Sequence, residues 1–168
     1  ALKSVDIPDS VITIEQGAFY NCKSLDEVKI GKKVRTIGNT AFTYDSSLKS
    51  INIPSNVENL GEAAFYCCSG LTSAVIGNGV TDLKSGSGSD NGDDNSDYYT
   101  RGTFENCTSL SSVTIGNGVK NIGTDTFANT ALTEVVIPDN VVTMEKGVFY
   151  NCKKLQKIIK LKRNLNTC

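Results

Sequence analysis

Leu110-Ser111-Ser112-Val113-Thr114-Ile115-Gly116-Asn117-Gly118-Val119-Lys120-Asn121-Ile122-Gly123-Thr124-Asp125-Thr126-Phe127 holds one full statement of the pattern that organises the chain. Behind Leu110, the β-branched residues Val113 and Ile115 alternate with polar neighbours, as in a short strand with one buried face. Gly116-Asn117-Gly118 then interrupts with residues suited to a tight corner. Val119 and Ile122 open a second inward-facing stretch, and Thr126 sets a compact side chain before the Phe127 ring.

Outward from this stretch the same grammar repeats. Phe19, Phe42, Phe65, Phe104, Phe127 and Phe149 are separated by 23, 23, 39, 23 and 22 residues. Leu2, Leu25, Leu48, Leu71, Leu110, Leu132 and Leu155 keep the same beat, so two residue types agree on one period. The long step equals one period plus 16 residues, which places a single insertion within residues 84–103. A fixed period of this length marks a solenoid, in which no module buries its apolar face alone.

Pro8-Asp9-Ser10, Gly31-Lys32-Lys33, Pro54-Ser55-Asn56, Gly77-Asn78-Gly79 and Pro138-Asp139-Asn140 occupy the corner slot, and all 3 prolines fall there. The expected architecture is strand-dominated α/β, with about seven repeats of 22–23 residues. Strands starting near Ser4, Glu27, Ser50, Ser73, Ser112, Glu134 and Lys157 would form one parallel β-sheet. Val11 with Ile14, and their counterparts, would form a second wall of the core. Short helical turns are expected where Ala18-Phe19, Ala41-Phe42, Ala64-Phe65, Thr103-Phe104, Thr126-Phe127 and Val148-Phe149 lie. The unbroken rhythm makes 1–168 one solenoid, and a first module that starts mid-pattern at Ala1 without a cap suggests a fragment of a longer array.

With 39% hydrophobic and 21% charged residues the chain can build a core, and no run approaches the length of a membrane helix. A net charge of −1 gives the whole molecule no electrostatic case for nucleic acid. The count of His is 0, which removes Ser-His-Asp and Cys-His nucleophilic schemes. An enzyme built on paired carboxylates is disfavoured, because the acidic residues fall mainly in turns and in the insertion.

Ala18-Phe19-Tyr20-Asn21-Cys22-Lys23-Ser24-Leu25 is echoed by Phe104-Glu105-Asn106-Cys107-Thr108-Ser109-Leu110 and Phe149-Tyr150-Asn151-Cys152-Lys153-Lys154-Leu155. Together with Ile7-Pro8-Asp9-Ser10-Val11 and Ile115-Gly116-Asn117-Gly118-Val119, these blocks resemble the BspA-like class of leucine-rich repeats. The resemblance implies a right-handed leucine-rich-repeat solenoid from an exported, cell-surface or secreted protein. It further implies a non-catalytic role in adhesion or protein binding, without a cofactor. An inert spacer presenting another domain is the alternative. Departures are Tyr44-Asp45 in place of Asn-Cys, Cys67-Cys68, and a fifth module one residue short before Leu132, where local irregularity is expected.

Period two turns Asp6, Lys29, Asn52, Val75, Thr114, Val136 and Ile159 away from the core. This column is the candidate partner surface, for a host extracellular or cell-surface protein, although a neighbouring domain or the tail residues Leu161 and Leu165 could equally cover its apolar end. Tyr98 and Tyr99 in the insertion are further contact candidates. Asp93, Asn95 and Asp97 alternate as in a calcium loop, but Tyr98 stands at the glycine position and Phe104 at the twelfth, so the metal signal is weak. Cys22, Cys68, Cys107 and Cys152 share one slot and read as a column of core thiols, with a Cys68–Cys107 disulfide as the alternative. Cys67 and Cys168 lie outside the column.

Overall fold

Every coil turns its first corner through the same hydrogen bond, which the residue types at that slot explain. Val11, Val57 and Val141 donate their N–H groups to the carbonyls of Pro8, Pro54 and Pro138, and Val34, Val80 and Val119 donate to Gly31, Gly77 and Gly116. Proline fixes its own φ for the turn. At the glycine corners the backbone of the preceding coil comes close, and a Cβ on Gly116 would stand 2.5 Å from the Gly77 carbonyl oxygen.

The computed structural model describes residues 1–85 and 101–160. Its strands, in chain order, are β1 (Ser4–Asp6), β2 (Thr13–Ile14), β3 (Glu27–Lys29), β4 (Thr36–Ile37), β5 (Ser50–Ile53), β6 (Asn59–Leu60) and β7 (Ser73–Ile76). There follow β8 (Asp82–Leu83), β9 (Ser112–Thr114), β10 (Asn121–Ile122), β11 (Glu134–Ile137), β12 (Thr143–Met144) and β13 (Lys157–Lys160). Pairing is parallel throughout and joins each strand to its equivalent in a neighbouring coil, so the result is a parallel-strand β-solenoid of about six turns.

The expected single sheet is in fact two strand walls. One carries the sheets β1-β3, β5-β7-β9 and β11-β13; the other carries β2-β4-β6 and β8-β10-β12. The short second stretch pairs as a ladder because its residues meet their equivalents one period away, as Thr13 meets Thr36 and Ile14 meets Ile37. Register also survives the insertion, since Ser73 aligns with Ser112 and Asp82 with Asn121.

The third side differs more from expectation. Among the described residues no helix forms there. Alternate N–H groups serve two different acceptors: Ala18, Tyr20 and Cys22 donate three residues back, to Glu15, Gly17 and Phe19, whereas Gly17, Phe19 and Asn21 donate across to Asn39, Ala41 and Thr43 of the next coil. A helix would have claimed every one of these donors for its own ladder. The alternation is accompanied by left-handed backbone at two points in the second and third coils, with φ of 53° at Thr40 and 66° at Tyr44, and 53° at Ala63 and 56° at Cys67. Neighbouring coils thus exchange backbone hydrogen bonds on all three sides.

The interior is a phenylalanine stack. Ring centroids from Phe19 to Phe149 follow one another at 5.1, 5.2, 5.2, 5.7 and 5.8 Å, with interplanar angles of 8°, 1°, 4°, 10° and 9°. Phe42, Phe65, Phe104 and Phe127 are fully buried, with Leu25, Leu48, Leu71, Leu110 and Leu132 beside them. Such offset parallel rings gain about 0.5–1.5 kcal/mol per pair beyond the area they bury. The insertion leaves this stack intact, since Phe65 meets Phe104 at 5.2 Å across it.

Candidate functional site

The backbone ladders join neighbouring coils on three sides, and what faces outward is a set of side-chain columns. On the first strand wall Lys29, Asn52, Val75, Thr114 and Val136 are exposed, as period two predicts. Asn52, Val75 and Thr114 are register partners on β5, β7 and β9. Val75 is 43% and Val136 40% exposed, so two β-branched apolar groups face solvent beside polar neighbours. At the amino-terminal end of the column Lys29 donates to Asp6 at 3.0 Å, an open ion pair that contributes little to stability.

Ile159 behaves differently from its expected place on this column: it is half-buried beside Val136, its register partner. Ile158, on the inward side of β13, is exposed instead, because among the described residues no further coil lies over it. Tyr98 and Tyr99, and the calcium candidates Asp93, Asn95 and Asp97, lie outside the described residues, as do Leu161, Leu165 and Cys168. Among the described residues no group of three or more His, Cys, Asp or Glu side chains is placed to hold a metal ion.

The cysteine column is present as thiols. Cys68, Cys107 and Cys152 are buried and reduced, and their Sγ–H groups point at the Phe42, Phe65 and Phe127 carbonyls at 3.0, 3.1 and 3.0 Å. The alternative of a Cys68–Cys107 disulfide is therefore corrected: each sulfur already has a backbone acceptor one coil away. The neighbouring Cys107 thiol, with burial added, holds the Cys68 thiol well above the usual range. Cys67 is half-buried outside the column, and burial raises its thiol as well.

Asp45 takes the cysteine slot of the second coil, and the expected irregularity there does not occur. Asp45 N–H bonds the Phe42 carbonyl and Tyr44 N–H bonds the Tyr66 carbonyl, as in neighbouring coils. Its carboxyl is fully buried; Oδ1 accepts the Cys22 N–H at 2.7 Å, while Oδ2 meets no partner among the described residues. Burial pushes this group up from 3.8 to about 7, against the opposing pull of that N–H.

A second column was not foreseen. Two residues after each ring stand Asn21, Tyr44, Cys67, Asn106, Asn129 and Asn151, all with positive φ. Asparagine tolerates that conformation better than most residues, and its recurrence after phenylalanine was the available signal. Asn151 donates Nδ2–H to Asn129 Oδ1 at 2.6 Å, Asn129 to Asn106 Oδ1 at 2.8 Å, and Asn106 to the Tyr66 hydroxyl at 3.2 Å. Next to this ladder Tyr20, Tyr44 and Tyr66 meet edge to face at 5.7 Å, and Arg101 lies 4.9 Å above the Tyr66 ring. Burial, foremost, pushes the Tyr66 hydroxyl to about 12.

Stacked coils, a phenylalanine core and outward side-chain columns define a solenoid repeat protein. The chain belongs to the BspA-type leucine-rich repeat family, whose pattern matches it in 6 copies over residues 1–90 and 93–168. It is similar to a leucine-rich cell surface protein from Faecalibacterium prausnitzii A2-165, with 34% identity and a TM-score of 0.79 over 96% of this chain. It covers 40% of that protein, so it corresponds to less than half of the relative's length. A leucine-rich repeat protein of T. pallidum shares the fold, with 22% identity, a TM-score of 0.51, and coverage of 91% of this chain and 64% of the other. No curated protein matches the chain. Among the described residues no helix is long and apolar enough to cross a membrane.

Proposed function

We propose that the chain is a non-catalytic protein-binding module of a cell-surface protein, and that the first strand wall is its contact surface. The observation that carries this is the run Lys29, Asn52, Val75, Thr114 and Val136, five exposed side chains held at coil spacing along a strand wall built from the sheets β1-β3, β5-β7-β9 and β11-β13. A rigid wall costs little conformational entropy on binding, and exposed valines beside polar groups offer both apolar area and register. The cell-surface description of the F. prausnitzii relative supports the location.

The test is capture of purified host extracellular proteins by the immobilised chain, with Val75→Asp and Val136→Asp compared with the parent. Saturable capture lost in both variants supports the reading. Undiminished capture by the variants moves the contact elsewhere, and no saturable capture by the parent leaves a spacer that presents other domains.

A further inference from the structure

Leu132 follows Phe127 by five positions, whereas Leu110 follows Phe104 and Leu155 follows Phe149 by six. The missing residue lowers one coil between two longer ones. Thr130 and Ala131 become the floor of a groove of about 400 Å³, with Thr108 on one side and Lys153 and Lys154 on the other. Asn106, Asn129 and Asn151 run along it.

The uncommitted polar side-chain groups of the groove are mainly hydrogen-bond donors. Asn129 and Asn151 each spend one Nδ2–H on the ladder, which leaves a second N–H on each amide. The Thr108 hydroxyl and Asn151 Oδ1 have no partner among the described residues, and no Asp or Glu lines the space. Lys153 and Lys154 are exposed without a carboxylate in ion-pair range among the described residues. A ligand that fits must therefore bring an anion and hydroxyl groups.

Among the described residues, backbone pairing leaves a peptide strand, which binds chiefly through main-chain hydrogen bonds, only a broken row of free N–H groups at Thr108, Thr130, Asn151 and Lys154. Here Asn106, Asn129, Ala131 and Lys153 have already given their N–H groups to Ala128, Tyr150, Leu110 and Asn151. Side-chain amides remain, and an amide edge that both donates and accepts suits adjacent sugar hydroxyls.

We propose that this groove binds an acidic saccharide unit, its carboxylate between Lys153 and Lys154 and its hydroxyls on Asn129, Asn151 and Thr108. The site is separate from the protein-binding wall and does not depend on it. The size sits at the lower end of small-ligand pockets, enough for one or two sugar rings.

The experiment is a titration of the isotope-labelled chain with sodium glucuronate, followed through the side-chain amide signals of Asn129 and Asn151, with glucose, acetate and triglutamate as comparators. Saturable shifts with glucuronate, exceeding those from all three comparators, are expected. The Lys153→Gln/Lys154→Gln variant, altered only at exposed positions, should bind about tenfold more weakly as the charged contacts are lost. Insertion of a serine after Thr130, which restores the six-residue step, should remove the response. Equal shifts with acetate or triglutamate would overturn the saccharide assignment, and an absent glucuronate response, or one unaffected by the lysine variant, would overturn the site.

Discussion

Asp45→Asn isolates the consequence of enclosing a carboxyl in the core. The side chain keeps its shape and its Oδ1 acceptor for the Cys22 N–H, but it loses the capacity to ionise. In the folded chain the acid titrates at about 7, in the unfolded chain near 3.8. Between those values the folded state holds the proton more tightly, so stability is fully present at low pH and falls as pH rises toward the folded value. Since a tenfold change in proton affinity is worth about 1.36 kcal/mol, an interval of roughly three pH units corresponds to a loss of about 4 kcal/mol, levelling off above about pH 7. That is a large share of the roughly 5–15 kcal/mol that stabilises an ordinary domain. Urea unfolding of parent and variant, across steps from about pH 4 to about pH 8.5, reads the difference directly, because every other carboxylate is common to both. The two chains should have similar midpoints at the acid end, and the variant should pull ahead as pH rises. A difference that stays constant over this interval would refute the reasoning, since Oδ2 would then have found solvent or a donor.

Phe65→Ala removes a ring stacked on both faces, by Phe42 and Phe104, and should cost about 3–5 kcal/mol in denaturant unfolding. Phe19→Ala, at a half-buried end of the stack, should cost clearly less; equal losses would mean that the rings do not act through burial. Gly116→Ala drives a methyl against the Gly77 carbonyl and should lower stability by about 1–3 kcal/mol, whereas Lys120→Ala, exposed near the same corner, should be close to neutral in a thermal scan. Alkylation after unfolding without reductant should label both Cys68 and Cys107, and a linked peptide pair in the mass spectrum would contradict the thiol-to-carbonyl arrangement.

The repeat, the inward leucines and the phenylalanine column were legible because burial writes itself into residue type at a fixed interval. Outward positions on the strands followed from period two, and Val75 and Val136 stand where that rule sets them. The third side was misjudged for a physical reason. Compact residues before Phe42 and Phe65 suit a helical turn locally, yet the next coil lies close enough to take every second N–H, and inter-coil pairing decides the conformation. Cys68 and Cys107 were ambiguous because one coil spacing suits a disulfide as well as a thiol facing a carbonyl. Asp45 looked like a break in the pattern, but a carboxyl is small enough for a cysteine slot and the coil keeps its hydrogen bonds. The groove over Thr130 needed the coils stacked side by side, since a one-residue deletion shows as a depression only against taller neighbours.

The uninterrupted contact between Phe65 and Phe104 has a practical meaning: the stack closes over residues 84–103 as though nothing had been spliced there. Entropy charges only about 0.6 kcal/mol for each doubling of a flexible connection. This junction is therefore a natural graft point, where foreign epitopes or enzymes of varied length could be displayed from a scaffold that never has to change its pitch.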